Sequence, residues 1–477
     1  MKKNILIGFT VLLCALQFLL MPTKAQIQPE ISFLISSGQL IPKFDWSTTE
    51  YEVTSLNTVN PILYTIKSSD PDVVATVNGK KVRINQGELL RLTQLSDNDS
   101  FAVDIDGAFG KRTFRFRTLP KDFPKFNVTA KDPVKGDIFM APYTVGGAPP
   151  TYLIITNELG TVKYYNKLFG PAFDFQKITI DNKVYYTYLQ GDLNLGQGTN
   201  NFPSRVVVMD SQFQKIRSFL PNNSEGKGKM AHDSHEFEML GKNHYITTAY
   251  VKKNINTVPG FPQGSIIIDA VLQEYKDNKM IFQWKSSDYP ELYAGSRRFT
   301  QFSDPKIPFV DYAHMNSVFV DTDGHFLVLM RFLDQVLKIH RVTGEIIWKF
   351  GGDADQFGLT KEMQFSLAHH FTRTASGTFL VFDNGNALGR SRIVEYDSNE
   401  KERKVNSFST YEPNPNVFGD ALGSVEKINN SYFIAWGRKR KNDPDITEYD
   451  LVTKTEQFRL KFVAPTTVTY RAAKYVP

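Results

Sequence analysis

The sequence is almost without cysteine, and its one cysteine, Cys14, lies in an apolar run near the N-terminus. If that run is removed, the mature chain has neither disulfides nor thiolate chemistry, so its stability must come from a large apolar core. The net charge of +6 is modest, and no basic run with interleaved aromatic residues points to nucleic acid. The sequence also lacks a P-loop for nucleotide phosphates and has few α-helical signals.

The N-terminal residues have the composition of a secretory signal. Lys2 and Lys3 precede the apolar stretch from Ile5 to Met21, and a small residue, Ala25, offers a cleavage point. We predict a signal peptide over 1–25 and a secreted or periplasmic mature protein, with an uncleaved membrane anchor as the alternative. No other segment is long and apolar enough to predict stable insertion into a membrane.

The next part of the chain predicts a small β domain over residues 26–120. Short runs of alternating apolar and polar residues recur there, and turn residues separate them. About seven such strands favour an immunoglobulin-like β-sandwich. Pro120 and Pro124 then interrupt regular strand pairing and mark a linker.

The rest of the chain, residues 121–477, contains a repeated unit of four strands with a period of about 50 residues. The clearest units begin at His314, His370 and Gly423, and weaker copies precede them. This period is typical of a propeller blade, so we predict an all-β chain whose larger domain is a six-bladed β-propeller. We expect residues 462–470 to complete the first blade, and 191–203 and 289–308 to form loops over one face.

Histidine is the residue type that marks a candidate site. The chain has eight histidines, and five of them lie between residues 311 and 386. We predict that His235, His314 and His370 begin the first strands of three successive blades and point into one mouth of the channel. Arg331, Asp383 and Asn384 are expected at the same mouth because they end strands that return to it. Asn316 is expected there because it lies two residues after His314, on the same face of the strand.

Such a set of side chains suits a small tetrahedral oxyanion. Arginine and protonated histidine donate charge-assisted hydrogen bonds to its oxygens. Crowded cations also lower the pKa of at least one imidazole, which is then free to act as a nucleophile or base. Two alternatives stay open: histidines that are only structural, and a three-histidine metal site, which the nearby Arg331 disfavours.

Several motifs in the larger domain carry a resemblance. They are Asp-Ser-His-Glu-Phe at 233–237, Asp-Tyr-Ala-His-Met-Asn-Ser at 311–317, Leu-Met-Arg at 329–331, Ile-Ile-Trp-Lys-Phe-Gly-Gly at 346–352, His-His at 369–370 with Phe-Asp-Asn-Gly at 382–385, and Gly-Ser-Val at 423–425 with Trp-Gly at 436–437. In this order and spacing, residues 127–470 resemble the bacterial arylsulfate sulfotransferase family.

The resemblance implies an enzyme that moves a sulfuryl group from a phenolic sulfate ester to a phenol, without the nucleotide donor PAPS. It implies a ping-pong mechanism through a sulfohistidine, with no cofactor and no metal. Carried over by position, the nucleophile is His370, and His235, His314 and Arg331 act with it. Asn316, Asn384 and His369 are expected to bind substrate.

Two departures from the family pattern bear on these assignments. Some members have a disulfide near the active site, which this chain cannot form once Cys14 is removed. The family often has glutamine before its nucleophile, where this chain has His369, so His369 is the alternative nucleophile.

Two other functions remain as alternatives. One is a non-catalytic secreted propeller that binds a sulfated or anionic ligand, and the other is a metal-dependent propeller lyase or lactonase. Because propellers host many activities, the fold alone does not separate them. For partners we expect small molecules and no nucleic acid, and a homodimer is left open.

Overall fold

The computed structural model describes residues 31–35, 38–41, 44–55, 62–77, 79–84, 88–92, 100–120, 122–145, 151–192, 203–223, 228–256, 258, 265–304 and 306–477. The predicted signal peptide, and most of the predicted loop 191–203, lie outside these residues. The chain divides into two compact units, Met1–Lys121 and Asp122–Pro477. Both consist mainly of β-strands, which confirms the all-β prediction. Within the described ranges, we find no helix with the length and apolar character that a membrane crossing requires.

The first unit contains two sheets in its described part. In the three-stranded sheet, β1 (Ile31–Ile35) pairs with β4 (Ile62–Ser68), which pairs with β7 (Glu88–Leu92). The second sheet has the order β2 (Gly38–Ile41), β3 (Glu50–Ser55), β9 (Gly110–Thr118), β8 (Ser100–Gly107), β5 (Val74–Val77) and β6 (Lys80–Arg83). Stacked aromatic rings fill the core of this unit, and Phe33, Tyr51 and Phe101 all pack on Phe116.

The second unit contains four consecutive four-stranded antiparallel sheets. The first consists of β14 (Ala172–Ile180), β15 (Lys183–Gly191), β16 (Ser204–Met209) and β17 (Lys215–Phe219), and the second of β18 (Phe237–Gly241), β19 (His244–Ile255), β20 (Ser265–Lys276) and β21 (Lys279–Lys285). The third consists of β22 (Met315–Val320), β23 (Phe326–Met330), β24 (Gln335–Ile339) and β25 (Ile346–Phe350), and the fourth of β26 (His370–Arg373), β27 (Phe379–Asp383), β28 (Arg392–Asn399) and β29 (Lys404–Tyr411).

Two further sheets join the beginning and the end of this unit. One has the order β13 (Val162–Leu168), β12 (Thr151–Thr156), β11 (Asp137–Thr144) and β34 (Thr467–Tyr475). The other has the order β10 (Phe126–Ala130), β33 (Thr455–Phe462), β32 (Ile446–Asp450), β31 (Ser431–Ala435) and β30 (Ser424–Ile428). The strand that completes the β11–β13 sheet thus starts at Thr467, later than the predicted 462, because Phe462 still belongs to β33.

The first strands of several sheets, together with β34, contact one another. Contacts join β14 to β18, β22 to β26, β26 to β30, β30 to β34 and β34 to β14. Apolar side chains pack between neighbouring sheets, as where Leu329 and Phe350 of one sheet meet Phe371 and Phe379 of the next. Residues that immediately precede the first strands are therefore brought close together.

Candidate active site

Three histidines from three sheets form a cluster, which we call the histidine cluster: His235, His314 and His369. His235 lies two residues before β18, while His314 and His369 directly precede β22 and β26. The ring centroid of His235 is 4.9 Å from that of His314 and 6.5 Å from that of His369. All three side chains are buried. The structure thus brings together imidazoles that are far apart in sequence.

His370 does not belong to this cluster. It is the first residue of β26, and its Nδ1 accepts a hydrogen bond from the backbone N–H of Val425 at 3.4 Å. Its side chain lines a separate cavity of about 360 Å³ together with Glu236, Glu426 and Arg471. Burial and the charge of Arg471 lower the pKa of His370 to about 3. The predicted placement of His370 beside His235 and His314 is therefore wrong.

The reason for this error is the position of each histidine relative to its strand. The sequence pattern predicts the histidines as first residues of strands, but His235 and His314 precede theirs, so the equivalent residue in the next sheet is His369. Successive side chains on a strand face opposite sides, and His370 therefore points away from the cluster. An alignment of His314-Met315 with His369-His370 would have revealed this register.

An unusual backbone conformation orients the side chain of His314. Its φ is +57°, a left-handed value that is uncommon for a residue other than glycine. The carbonyl of His314 accepts a hydrogen bond from the backbone N–H of Arg331 at 2.9 Å, so the turn is tied to the end of β23. Such conformations cluster at functional sites, where surrounding contacts hold them.

Two of the three histidines are paired with an aspartate. Nδ1 of His235 lies 2.7 Å from Oδ2 of Asp233, and Nδ1 of His314 lies 2.6 Å from Oδ2 of Asp311. Since an ionised carboxylate only accepts hydrogen bonds, each Nδ1 carries a proton and each Nε2 is the free end. Burial lowers the pKa of His314, and Asp311 partly opposes this shift. The sequence pattern alone assigns these aspartates no role, although they lie two and three residues before their histidines.

The third histidine, His369, is oriented by an amide. Its Nδ1 lies 2.7 Å from Oδ1 of Asn384, whose Nδ2 donates to the carbonyls of Gly419 at 2.7 Å and Leu422 at 3.0 Å. Because both amide hydrogens are used in this way, Oδ1 faces the imidazole and Nδ1 of His369 is the donor. Nε2 of His369 therefore keeps its lone pair. Burial, with the charge of Arg331, holds the pKa of His369 well below its usual range.

Arg331 supplies the positive charge of the site. It opens the short 3₁₀-helix Arg331–Leu333 directly after β23, at the strand end where the sequence places it. Its Nη2 donates to the carbonyl of Asp420 at 3.2 Å, while its buried Nε has no hydrogen-bond partner among the described residues. Burial and the neighbouring charge of Arg298 lower the pKa of Arg331 to about 10, so it stays cationic at neutral pH.

Asn316 and Asp383, which are also predicted at the mouth of the channel, form hydrogen bonds within the protein. Nδ2 of Asn316 donates to the carbonyl of Ala368 at 2.9 Å, which ties β22 to the segment before His369. Asp383 accepts hydrogen bonds from two backbone N–H groups and pairs with Arg392 at 2.8 Å, so it holds the turn rather than facing the cluster. Contact of Asn316, Asn384 or His369 with substrate remains a prediction.

A metal-binding geometry occurs in the described ranges at Asp321, Asp323 and Glu400. Lys338 lies 2.8 Å from Asp321 and 2.7 Å from Glu400, and Arg373 also pairs with both acids. These carboxylates already have cationic partners from the protein itself. The group is best explained as a salt-bridge network.

The site therefore belongs to an all-β protein in which three buried histidines lie beside one arginine. Such a site is able to bind an oxyanion and attack it. Comparison with known families specifies the class further. Residues 182–457 match the model of the arylsulfotransferase (ASST) family, and the chain belongs to that family. Membership supports arylsulfotransferase activity on small-molecule donors and acceptors. No curated protein matches the sequence.

Solved structures show only distant likeness. A protein of unknown function from Bacteroides caccae has 8% identity and a TM-score of 0.40, covering 72% of this chain and 99% of its own. Virginiamycin B lyase from Staphylococcus aureus has 12% identity and a TM-score of 0.34, covering 85% of this chain and 100% of its own. A quinonprotein alcohol dehydrogenase-like protein from Bacteroides thetaiotaomicron has 10% identity and a TM-score of 0.35, covering 92% and 100%.

Proposed function

We propose that the protein is a PAPS-independent aryl sulfotransferase that works by a ping-pong mechanism through a sulfohistidine, and that the nucleophile is His369 rather than His370. The observation that carries this proposal is the fixed tautomer of His369. Its Nδ1 donates to Asn384, so Nε2 is unprotonated, and the imidazole lies beside His235, His314 and Arg331.

The first half-reaction forms a nitrogen–sulfur bond. The lone pair on Nε2 of His369 attacks the sulfur of the phenolic sulfate ester, and the bond from sulfur to the aryl oxygen breaks. The aryl oxygen leaves with the bonding electrons and takes a proton from Nε2 of His235 or His314 in its imidazolium form. The paired aspartate stabilises that imidazolium. His369 is left sulfurylated on Nε2, with its Nδ1 proton still held by Asn384.

The second half-reaction reverses these steps. An acceptor phenol replaces the first product and gives its proton to the histidine that acted as the acid. Its oxygen attacks sulfur, the nitrogen–sulfur bond breaks, and Nε2 of His369 recovers its lone pair. In both halves the guanidinium of Arg331 stabilises the charge on the equatorial oxygens, an electrostatic contribution that is typically the largest single one.

The architecture and location that accompany this function are part of the proposal. The six sheets of the second unit and the contacts among their first strands support a six-bladed propeller over residues 121–477. The two sheets of the first unit support an immunoglobulin-like sandwich over 26–120. With a signal peptide over 1–25, the enzyme would be secreted or periplasmic and would act on small phenols there.

Release of 4-nitrophenol from 4-nitrophenyl sulfate tests the proposal. The assay contains EDTA and no nucleotide, and it compares reactions with and without added phenol. We expect phenol-dependent release that is lost in His369→Asn and retained in His370→Asn. Loss only in His370→Asn would return the nucleophile to the position given by family resemblance. Release abolished by EDTA would favour a metal-dependent enzyme, and no release with any phenol would favour a binding protein.

A further inference from the structure

A second arginine, Arg298, reaches the edge of the histidine cluster from the segment between β21 and β22. Its Cζ lies 3.9 Å from the ring centroid of Phe332, and that ring lies 4.8 Å from the ring of His314. Arg331 approaches the same phenyl ring, with its Cζ at 5.0 Å. Arg298 is half-buried. Two guanidinium groups therefore share one aromatic side chain next to the proposed sulfuryl site.

The arginines around the site differ in their partners. Arg297 pairs with the carboxylate of Asp334, and Arg438 makes two contacts with Asp420, at 2.6 and 2.8 Å. Within the described part of the chain, neither Arg331 nor Arg298 has a carboxylate at ion-pair distance. Arg331 has a role in stabilising the sulfuryl oxygens. Arg298 is left as a cation without a role in that chemistry.

Asp311 is the acid whose negative charge acts on Arg298, but its carboxylate is already hydrogen-bonded to His314. Its Oδ2 binds Nδ1 of His314, and its Oδ1 is buried without a hydrogen-bond partner in the described residues. Stacking on Phe332 offsets part of the cost of burying the guanidinium, and repulsion from Arg331 adds to that cost. A half-buried cation held beside another cation points to a ligand with negative charge.

We propose that Arg298 forms a second anion subsite, which selects aryl donors or acceptors that carry a further anionic group, such as a carboxylate, on the ring. This proposal rests on the proposed function, because it assigns a substrate class to the same site. Arg331 would hold the sulfuryl group while Arg298 holds the second anion. A guanidinium recognises a planar carboxylate through two parallel hydrogen bonds, which favours arginine over lysine here.

Acceptor competition tests the subsite. With 4-nitrophenyl sulfate as donor, kcat/KM is measured for phenol and for 3- and 4-hydroxybenzoate. In the wild type we expect a hydroxybenzoate to be preferred over phenol, and in Arg298→Gln we expect that preference to fall about tenfold or more. Arg217→Gln is the matched control, since Arg217 also stacks on a phenyl ring (Phe219, 4.4 Å) but lies on β17, where its Nη2 donates to Tyr245 and Asn278. An unchanged preference in Arg298→Gln would overturn the subsite.

Equilibrium binding separates the subsite from catalysis. Calorimetry compares 4-sulfobenzoate, an unreactive dianion, with benzenesulfonate, the matching monoanion. We expect the dianion to bind more tightly to the wild type and to lose that advantage in Arg298→Gln, with Arg298→Lys intermediate. If no phenol accepts a sulfuryl group yet this difference persists, the proposed function fails and the subsite stands. Equal binding of the two anions by the wild type would contradict the subsite.

Discussion

At the scale of single residues, Asn384 determines which nitrogen of His369 carries the proton. Its amide cannot turn over without losing two hydrogen bonds to backbone carbonyls, those of Gly419 and Leu422. Second partners of this kind are known to fix the tautomer of a functional imidazole. Asn384 is thus a positioning residue for the nucleophile.

Replacing Asn384 by aspartate should shift the pH profile of the enzyme. A carboxylate would still accept the Nδ1 proton, but its negative charge would raise the pKa of His369, which burial and Arg331 hold low. We expect the acid limb of kcat/KM to move to higher pH in Asn384→Asp, so that activity at pH 6 falls more than activity at pH 8. Initial rates over this pH range provide the measurement. An acid limb at the wild-type position would show that Asn384 does not act through His369.

Asp311 should matter most for donors whose phenol is a poor leaving group. In Asp311→Asn the amide can donate to Nδ1 of His314, which removes the preferred tautomer and the stabilisation of the imidazolium. We expect kcat/KM to fall about 100-fold or more for phenyl sulfate. The loss should be much smaller for 4-nitrophenyl sulfate, because 4-nitrophenolate leaves without protonation. Equal losses with both donors would indicate a purely structural aspartate.

At the scale of structural elements, the loop from Gly419 to Gly423 supports both Asn384 and Arg331. Its carbonyls accept hydrogen bonds from Asn384, Arg331 and Asn386. Gly437 packs against this loop with a φ of +64°, and a Cβ there would lie 2.5 Å from the carbonyl oxygen of Ala421. A side chain at 437 must therefore push the loop away from its place.

Gly437→Ala should reduce activity through this displacement. We expect kcat/KM to fall at least about tenfold, because sub-ångström errors in a preorganised site are costly. Gly358→Ala is the matched control, since Gly358 also has a positive φ (+70°) but a Cβ there would meet no atom within 4 Å. Gly358→Ala should lose about 1 kcal/mol of stability from the left-handed backbone, and Gly437→Ala should lose more because its Cβ also meets the loop, as measured by urea unfolding. Normal activity in Gly437→Ala would show that the loop does not position the site.

The elements also show what the sequence can and cannot predict. The third sheet was predicted closely: the repeat places a unit of four strands from His314, and the observed β22, β23, β24 and β25 follow that residue. Alternation of apolar residues and turn chemistry fixed these strands. Alternation of apolar residues does not give the register at the start of β26, because a left-handed Leu367 (φ +52°) turns the chain just before His369. Only an alignment of His314-Met315 with His369-His370 gives it. A shift of one residue in this register decides whether His369 or His370 lies in the histidine cluster.

At the scale of the whole molecule, the cavity around His370 should make stability depend on pH. It is lined by several acids, and burial, with the charges of Glu236 and Asp174, raises the pKa of Glu238 to about 8. Burial also raises the pKa of Glu426 to about 7. A carboxyl group with a raised pKa stabilises the fold below its unfolded pKa, near 4.5, and this contribution is lost as the pH rises through its folded pKa.

Glu238→Gln should therefore flatten the pH dependence of stability. Glutamine mimics the protonated acid and cannot ionise, so the variant should keep its melting temperature between pH 5 and pH 8.5 better than the wild type does. Glu402→Gln, at an exposed position after β28, is the control and should follow the wild type. Thermal unfolding across this range gives the comparison. Parallel curves for Glu238→Gln and the wild type would mean that Glu238 is ionised in the folded protein at neutral pH.

The central claim is that His369 carries the sulfuryl group between donor and acceptor. The most direct test incubates the enzyme with 4-nitrophenyl sulfate without acceptor, quenches it in alkali and maps the peptides by mass spectrometry. We predict the mass increment of one sulfuryl group on His369, in the wild type and in His370→Asn, and none in His369→Asn. A sulfuryl group on His370, or on no histidine while phenol-dependent turnover continues, would contradict the account.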